Sequence, residues 1–206
     1  MAAVLMTSGV LLLADAGLTL AWQEPVSAFI AAREQDRLED ELADQAALTA
    51  RDRETLANPR DLRRLAGLQK RRTDQGDPIG RISFRTREFV VVEGEDTESL
   101  RKGPGHYPRT EWPGQGKTVA VAGHRTTYGA PFRTIDKLER GDEVVMEMPY
   151  GRFTYRVEKR QIVKPSATWV IRDVRHEQLV LSACHPLYSA AERVIVFARL
   201  DSAEPV

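Results

Sequence analysis

Beyond Gly76 the chain is dominated by short runs of β-forming residues closed by glycine or proline, a pattern that restricts the fold more than any other feature. Thr118 to Ala122 (TVAVA) is apolar throughout, as a strand buried on both faces requires. Glu143 to Met148 and Arg152 to Glu158 alternate, and Pro149-Tyr150-Gly151 between them predicts a hairpin turn. Gln178 to Cys184 and Arg193 to Leu200 are further strands, rich in Val, Ile and Leu. Strands at such spacing predict a mostly β domain of about 130 residues, folded as a closed barrel or a sandwich.

Two other textures precede this domain. Met1 to Trp22 is almost continuously apolar or small, broken only by Asp15. About 20 such residues cross a bilayer as a helix, and Trp22 suits the interface beyond it, so residues 1–24 are predicted to be a membrane anchor. Asp15 opposes that reading, because a carboxylate at mid-depth costs about 3 kcal/mol. Ala14-Asp15-Ala16 also has the small-residue spacing of a signal-peptide cleavage site. On either reading the bulk of the chain lies outside the cytoplasm. In residues 25–75 the charges alternate in sign from Arg33 to Glu41, while Leu38 and Leu42 share one helical face. Leu62, Leu65 and Leu68 repeat the pattern before Lys70-Arg71-Arg72. The segment predicts a solvated helical stalk, divided at Asn58-Pro59, that holds residues 76–206 off the membrane.

Formal charge is balanced, with 30 basic and 30 acidic residues among 206, which removes the electrostatic case for a nucleic-acid partner. The single cysteine, Cys184, can form neither an intramolecular disulfide nor a zinc knuckle. A lone cysteine ordinarily serves as a small buried hydrophobe. Its surroundings suggest more. Cys184 ends the run LVLSA, with Pro186 soon after, and His124 follows TVAVAG directly. If those strands are parallel neighbours, thiol and imidazole meet at one sheet edge, and Arg193, opening the next strand, returns to the same end. A thiolate nucleophile, an imidazole to move protons and a guanidinium to meet an oxyanion form a set for acyl transfer. The spacing is equally compatible with a papain-like or other cysteine hydrolase. His106 and His176 are expected at the surface. The acidic run Glu93, Glu95, Asp96, Glu98 lacks the spacing of a calcium loop and reads as an exposed turn.

Three ordered motifs carry a family resemblance. Ala122-Gly123-His124-Arg125 with Thr126 to Phe132 (TTYGAPF) resembles the histidine region of class E sortases of actinobacteria. Val180 to Pro186 (VLSACHP), with Tyr188 to Ala191 and Arg193 to Val196, is similar to their cysteine-to-arginine segment. Gly103 to Pro108 (GPGHYP) followed by Pro113-Gly114 resembles the approach to the first motif, and LLLADAGLTLAWQEP resembles the family's amino-terminal segment. The resemblance implies a closed eight-stranded β-barrel and a membrane-anchored cysteine transpeptidase whose domain is extracellular. It would cleave an LPXTG- or LAXTG-like carboxy-terminal sorting signal of surface proteins between Thr and Gly. The acyl group would pass through a thioester to a cell-wall or pilin amine, with no cofactor or metal. It further implies Cys184 as nucleophile, His124 as general acid/base, Arg193 as oxyanion or substrate clamp, and Tyr128 and Ala183 on the substrate side. Ala183 departs from the threonine usual in the family before the cysteine, which bears on rate and substrate choice.

Overall fold

The structure is a computed structural model and describes residues 25–56, 58 and 61–206. Its strands are β1 (Pro78–Phe84), β2 (Arg87–Glu93), β3 (Gly105–His106), β4 (Thr118–Ala122), β5 (Glu143–Met148), β6 (Gly151–Val163), β7 (Gln178–His185) and β8 (Glu192–Pro205). They close a barrel in the order β1-β2-β3-β4-β7-β8-β6-β5, which settles the choice between barrel and sandwich. The predicted hairpin joins β5 to β6, with Met148 paired to Gly151. β6 and β8 outrun their predicted ends because they pair with each other almost throughout, so the ladder continues after the apolar pattern stops.

Alternation divides the side chains of β4, β7 and β8 between two faces. Val119, Val121, Leu179, Leu181, Ala183, Val194 and Val196 point into the barrel, where Trp112, Phe132, Tyr150 and Tyr155 complete the core. Ala120, Val180, Ile195 and Phe197 point outward and are covered by Val170, from the 3-10 turn Thr168–Ile171.

Helices α1 (Pro25–Thr55), α2 (Leu62–Lys70) and α3 (Thr97–Lys102) pack around the barrel. The predicted stalk is helical, with α1 ending and α2 beginning on either side of Asn58-Pro59, but it is not a free solvated rod. Leu38 and Leu42 are buried against Val90 and Val92 of β2. Between them and the start of the helix, Gln35 donates Nε2–H to the Val90 carbonyl (3.2 Å) and the Lys102 carbonyl (2.8 Å), and its Oε1 accepts the Val90 N–H (2.7 Å). The carboxamide thus does for Val90 what a neighbouring strand would, since β3 pairs with β2 only at Val92 and Glu93. Glu39 pairs with Arg81 of β1. Farther along, Arg53 donates to the Tyr150 carbonyl (3.3 Å). The alternating charges occupy the solvent face, whereas the narrow stripe of Ala31, Gln35, Leu38 and Leu42 requires cover and finds it on the barrel. Among the described residues no helix is long and apolar enough to cross a membrane, and the predicted anchor, residues 1–24, lies outside them.

Two expected surface features are interior. His106 is wholly buried: Nδ1 lies 2.8 Å from Glu93 Oε2, and Nε2 lies 3.0 Å from the Glu111 carbonyl. Trp112 Nε1–H donates to the same Glu93 oxygen (3.1 Å). The acidic run is therefore divided. Glu93 turns inward to serve these donors, while Asp96 caps α3 by accepting the N–H groups of Glu98 and Ser99. The Ser99 hydroxyl, foremost, holds the Asp96 carboxyl down to about 2.

Leu38 has no exposed surface and Leu48, on the same helix, is half exposed. Leu38→Ala should therefore destabilise the fold by about 2–4 kcal/mol in denaturant titration. Leu48→Ala should stay within about 0.5 kcal/mol. Equal effects would mean that α1 is not held by its leucine stripe.

Candidate active site

β4 and β7 are adjacent and parallel, with Thr118 opposite Gln178 and Ala122 opposite Ser182. The Gly123 N–H continues the ladder onto the Ser182 carbonyl (3.0 Å), so His124 and Cys184 follow at matching positions beyond it. β8 runs antiparallel to β7 with Arg193 directly opposite Cys184. Parity completes the convergence. Residues 120 and 122, 180, 182 and 184, and 193, 195 and 197 share the outer face of three neighbouring strands, and His124 follows two residues after β4. The structure thus brings His124, Cys184 and Arg193 to one end of the sheet.

Local chemistry differs at each. Cys184 is half-buried and lines an open cleft of 310 Å³ with Arg125, Thr126 and Tyr188. Arg193 Nη1 donates to the carbonyls of Ala190 (3.0 Å) and Glu192 (2.9 Å), which ties the guanidinium to the β7–β8 loop beside the thiol. His124 Nε2 is buried and finds no hydrogen-bond partner among the described residues. Burial lowers the imidazole below its ordinary 6.5, so the ring is neutral at pH 7. Under it, Gly123 makes room for Phe132: a Cβ at 123 would meet that ring at 2.6 Å.

Tyr128 and Ala183 lie in different surroundings. The Tyr128 ring packs on the His124 ring at 5.1 Å between centroids. It borders a separate cavity of 280 Å³, against Ala28, Ala31 and Ala32 of α1, and is not among the residues lining the Cys184 cleft. Its backbone turns through the left-handed region (φ 50°), as does Gly129 (φ 72°), and its N–H donates to Ser27 Oγ (3.3 Å). Ala183 belongs to the barrel core. Alternation along β7 sends its methyl into the core, 4% exposed, so a side chain there would act on packing behind Cys184.

Arg125, given no role from sequence, pins the two strand ends together. It is buried, with Asp136 Oδ2 at 2.6 Å as counter-charge. Nη1 donates to the Cys184 carbonyl (3.3 Å) and to His185 Nδ1 (3.3 Å), and Nη2 to the Arg133 carbonyl (3.2 Å). A guanidinium only donates, so His185 Nδ1 accepts and its ring proton sits on Nε2. The sequence signal was available: Arg125 and His185 follow His124 and Cys184 directly, at matching positions after two parallel strands. His176, expected at the surface, is half-buried just before β7, at the end of that strand away from Cys184, and its Nε2 is buried without a hydrogen-bond partner among the described residues.

Two outcomes follow from this packing. Gly123→Ala must displace Phe132 and should lower thermal stability markedly, whereas Gly141→Ala, with open space around it but φ 96°, should cost only backbone strain of about 1 kcal/mol. For His124 the folded chain resists a proton that the unfolded chain accepts. Stability should fall as the pH drops from above 6.5 through the lowered folded value. His124→Gln should flatten that slope in urea titrations between pH 7.5 and 5, and an unchanged slope would mean that the ring is freely solvated.

Known proteins with this arrangement are informative. The family model for the Sortase domain matches residues 80–201, more than half of the chain. Sortase D of Bacillus subtilis is 34% identical over 135 residues, 63% of this chain and 66% of that protein. Sortase SrtE1 of Streptomyces coelicolor is 30% identical over 131 residues, 56% of this chain but 37% of that protein, so the similarity spans only part of these relatives. Among solved structures, sortase E from Streptomyces avermitilis is 38% identical, with a TM-score of 0.58 over 65% of this chain and 93% of that one. The family match encloses β2 to β7 and most of β1 and β8, with His124, Cys184 and Arg193 among its residues, and the actinobacterial relatives fit the class E character of the motifs. The chain belongs to the sortase family.

Proposed function

We propose that this protein is a cysteine transpeptidase anchored in the cell membrane by a single amino-terminal helix, with its domain outside the cell. The observation that carries the reading is the placement of thiol, imidazole and guanidinium at one end of β7, β4 and β8, with the thiol in an open cleft. In this reading His124 takes the thiol proton of Cys184 as its Sγ attacks the carbonyl carbon of the Thr in an LPXTG- or LAXTG-like signal. The C–N bond breaks, and His124 passes a proton to the departing amine of glycine, leaving a thioester on Cys184. A cell-wall or pilin amine then attacks the thioester, His124 accepts its proton, and the new amide leaves the thiol regenerated. Negative charge on the carbonyl oxygen is met by Arg193, which stays charged at any working pH. Arg125 is a positioning residue in this scheme, holding the Cys184 carbonyl, and Tyr128 supports the His124 ring.

Purified protein incubated with an LAXTG or LPXTG peptide should gain the mass of the acyl fragment on Cys184. With an added amine the product should be the new amide. A product that is the free acid regardless of amine would instead mark a cysteine peptidase. Cys184→Ala should abolish adduct and turnover, and Arg193→Ala should lower kcat by about 10²–10³-fold. Full cleavage by Cys184→Ala would end the proposal.

A further inference from the structure

The chain enters the described structure at Pro25, and that point is beside the thiol end of the barrel, not at its base. Ser27 Oγ accepts the Tyr128 N–H at 3.3 Å, and the Tyr128 ring packs 5.1 Å from the His124 ring. Ser27 is five residues after Trp22, the end of the apolar run, a span of at most about 18 Å of chain. From there α1 runs away from the site along the barrel for 31 residues, about 46 Å, until Arg53 reaches Tyr150 in the β5–β6 turn. Its length therefore adds nothing to the distance between the apolar run and the site.

The exposed side chains at that end suit an interface. Phe29 and Ile30 are 58% and 57% exposed on the first turns of α1, with the Arg33 guanidinium 4.7 Å over the Phe29 ring. Tyr188, 62% exposed, and Leu187 stand on the β7–β8 loop beside the Cys184 cleft. Ile162, whose partner on β8 is Val194, is exposed on the same end. An apolar body with a cationic or phenolic tip is what a lipid headgroup region accepts.

We infer that the Cys184 cleft faces the bilayer, with Phe29, Ile30 and Tyr188 seated in the headgroup region. The occupant of this surface is a lipid membrane. The inference rests on the proposed anchoring of residues 1–24. It replaces a domain standing off on a stalk with one whose reactive mouth is pressed to the membrane.

The test uses the full chain in vesicles of phosphatidylcholine and phosphatidylglycerol containing headgroup spin-labelled lipid. In a Cys184→Ala background, single cysteines replacing Phe29, Tyr188 or Lys117 carry a fluorescent label; Lys117 precedes β4 at the opposite end. Labels at 29 and 188 should be quenched several-fold more than the label at 117, consistent with burial of about 5–10 Å. Replacing Phe29 and Ile30 with serine should weaken quenching at 188 while vesicle flotation is unchanged. If the chain floats with the vesicles but 188 is quenched no more than 117, anchoring stands and the membrane-facing site is overturned. If the chain fails to float, anchoring and inference fall together.

Discussion

One pairing underlies the site: β4 beside β7, parallel and in a single register. Parallel neighbours cannot be joined by a tight turn, so the chain between them must leave the sheet and return. Here the intervening residues build β5 and β6 and the outer cover at Val170 before β7 begins. Because both strands run the same way, their carboxyl ends coincide, and the residues that follow them are brought together without any contact in sequence. β8 then adds the third group simply by turning back. The site is a property of strand direction and parity before it is a property of any loop.

Behind that face lies an interior with more polar structure than its apolar lining suggests. His106, Glu93, Trp112 and the Glu111 carbonyl close one buried network beside β3. Its members satisfy one another, as buried polar groups must. Burial, and the nearby carboxylate of Glu177, push the phenols of Tyr150 and Tyr155 well above 10. Both hydroxyls still find acceptors, Tyr150 at the Pro113 carbonyl (2.8 Å) and Tyr155 at Glu177 Oε1 (2.8 Å). These contacts fasten the segment before β4 to the β5–β6 hairpin across the barrel.

Much of this was legible in the sequence because it depends on period and order. TVAVA, the alternating runs and the apolar runs near Cys184 and Arg193 marked β4 to β8 close to where they lie. His124, Cys184 and Arg193 could be placed at one end from strand order alone. What the residues could not show was cover. Nothing in the spacing of Leu38 and Leu42 says whether that stripe meets a barrel or solvent, and Gln35, the side chain that completes β2, has no distinguishing pattern. His106 looked exposed because it lies among glycine, proline and charge, and only the closure of the barrel puts Glu93 beside it. Ala183 is set in the core by the same alternation that places Cys184 outward.

Glu177 carries a consequence that reaches the whole molecule. Its carboxylate accepts the N–H groups of Gly114 (2.9 Å) and Gly116 (2.7 Å), just before β4, and it stands one residue before β7. Two strands whose pairing must not slide are thereby given a common origin. A slip of one residue would exchange their inner and outer faces and turn the sulfur toward the hydrocarbon interior. A buried acid at the base of the barrel thus acts as the zero mark from which the opposite rim is measured.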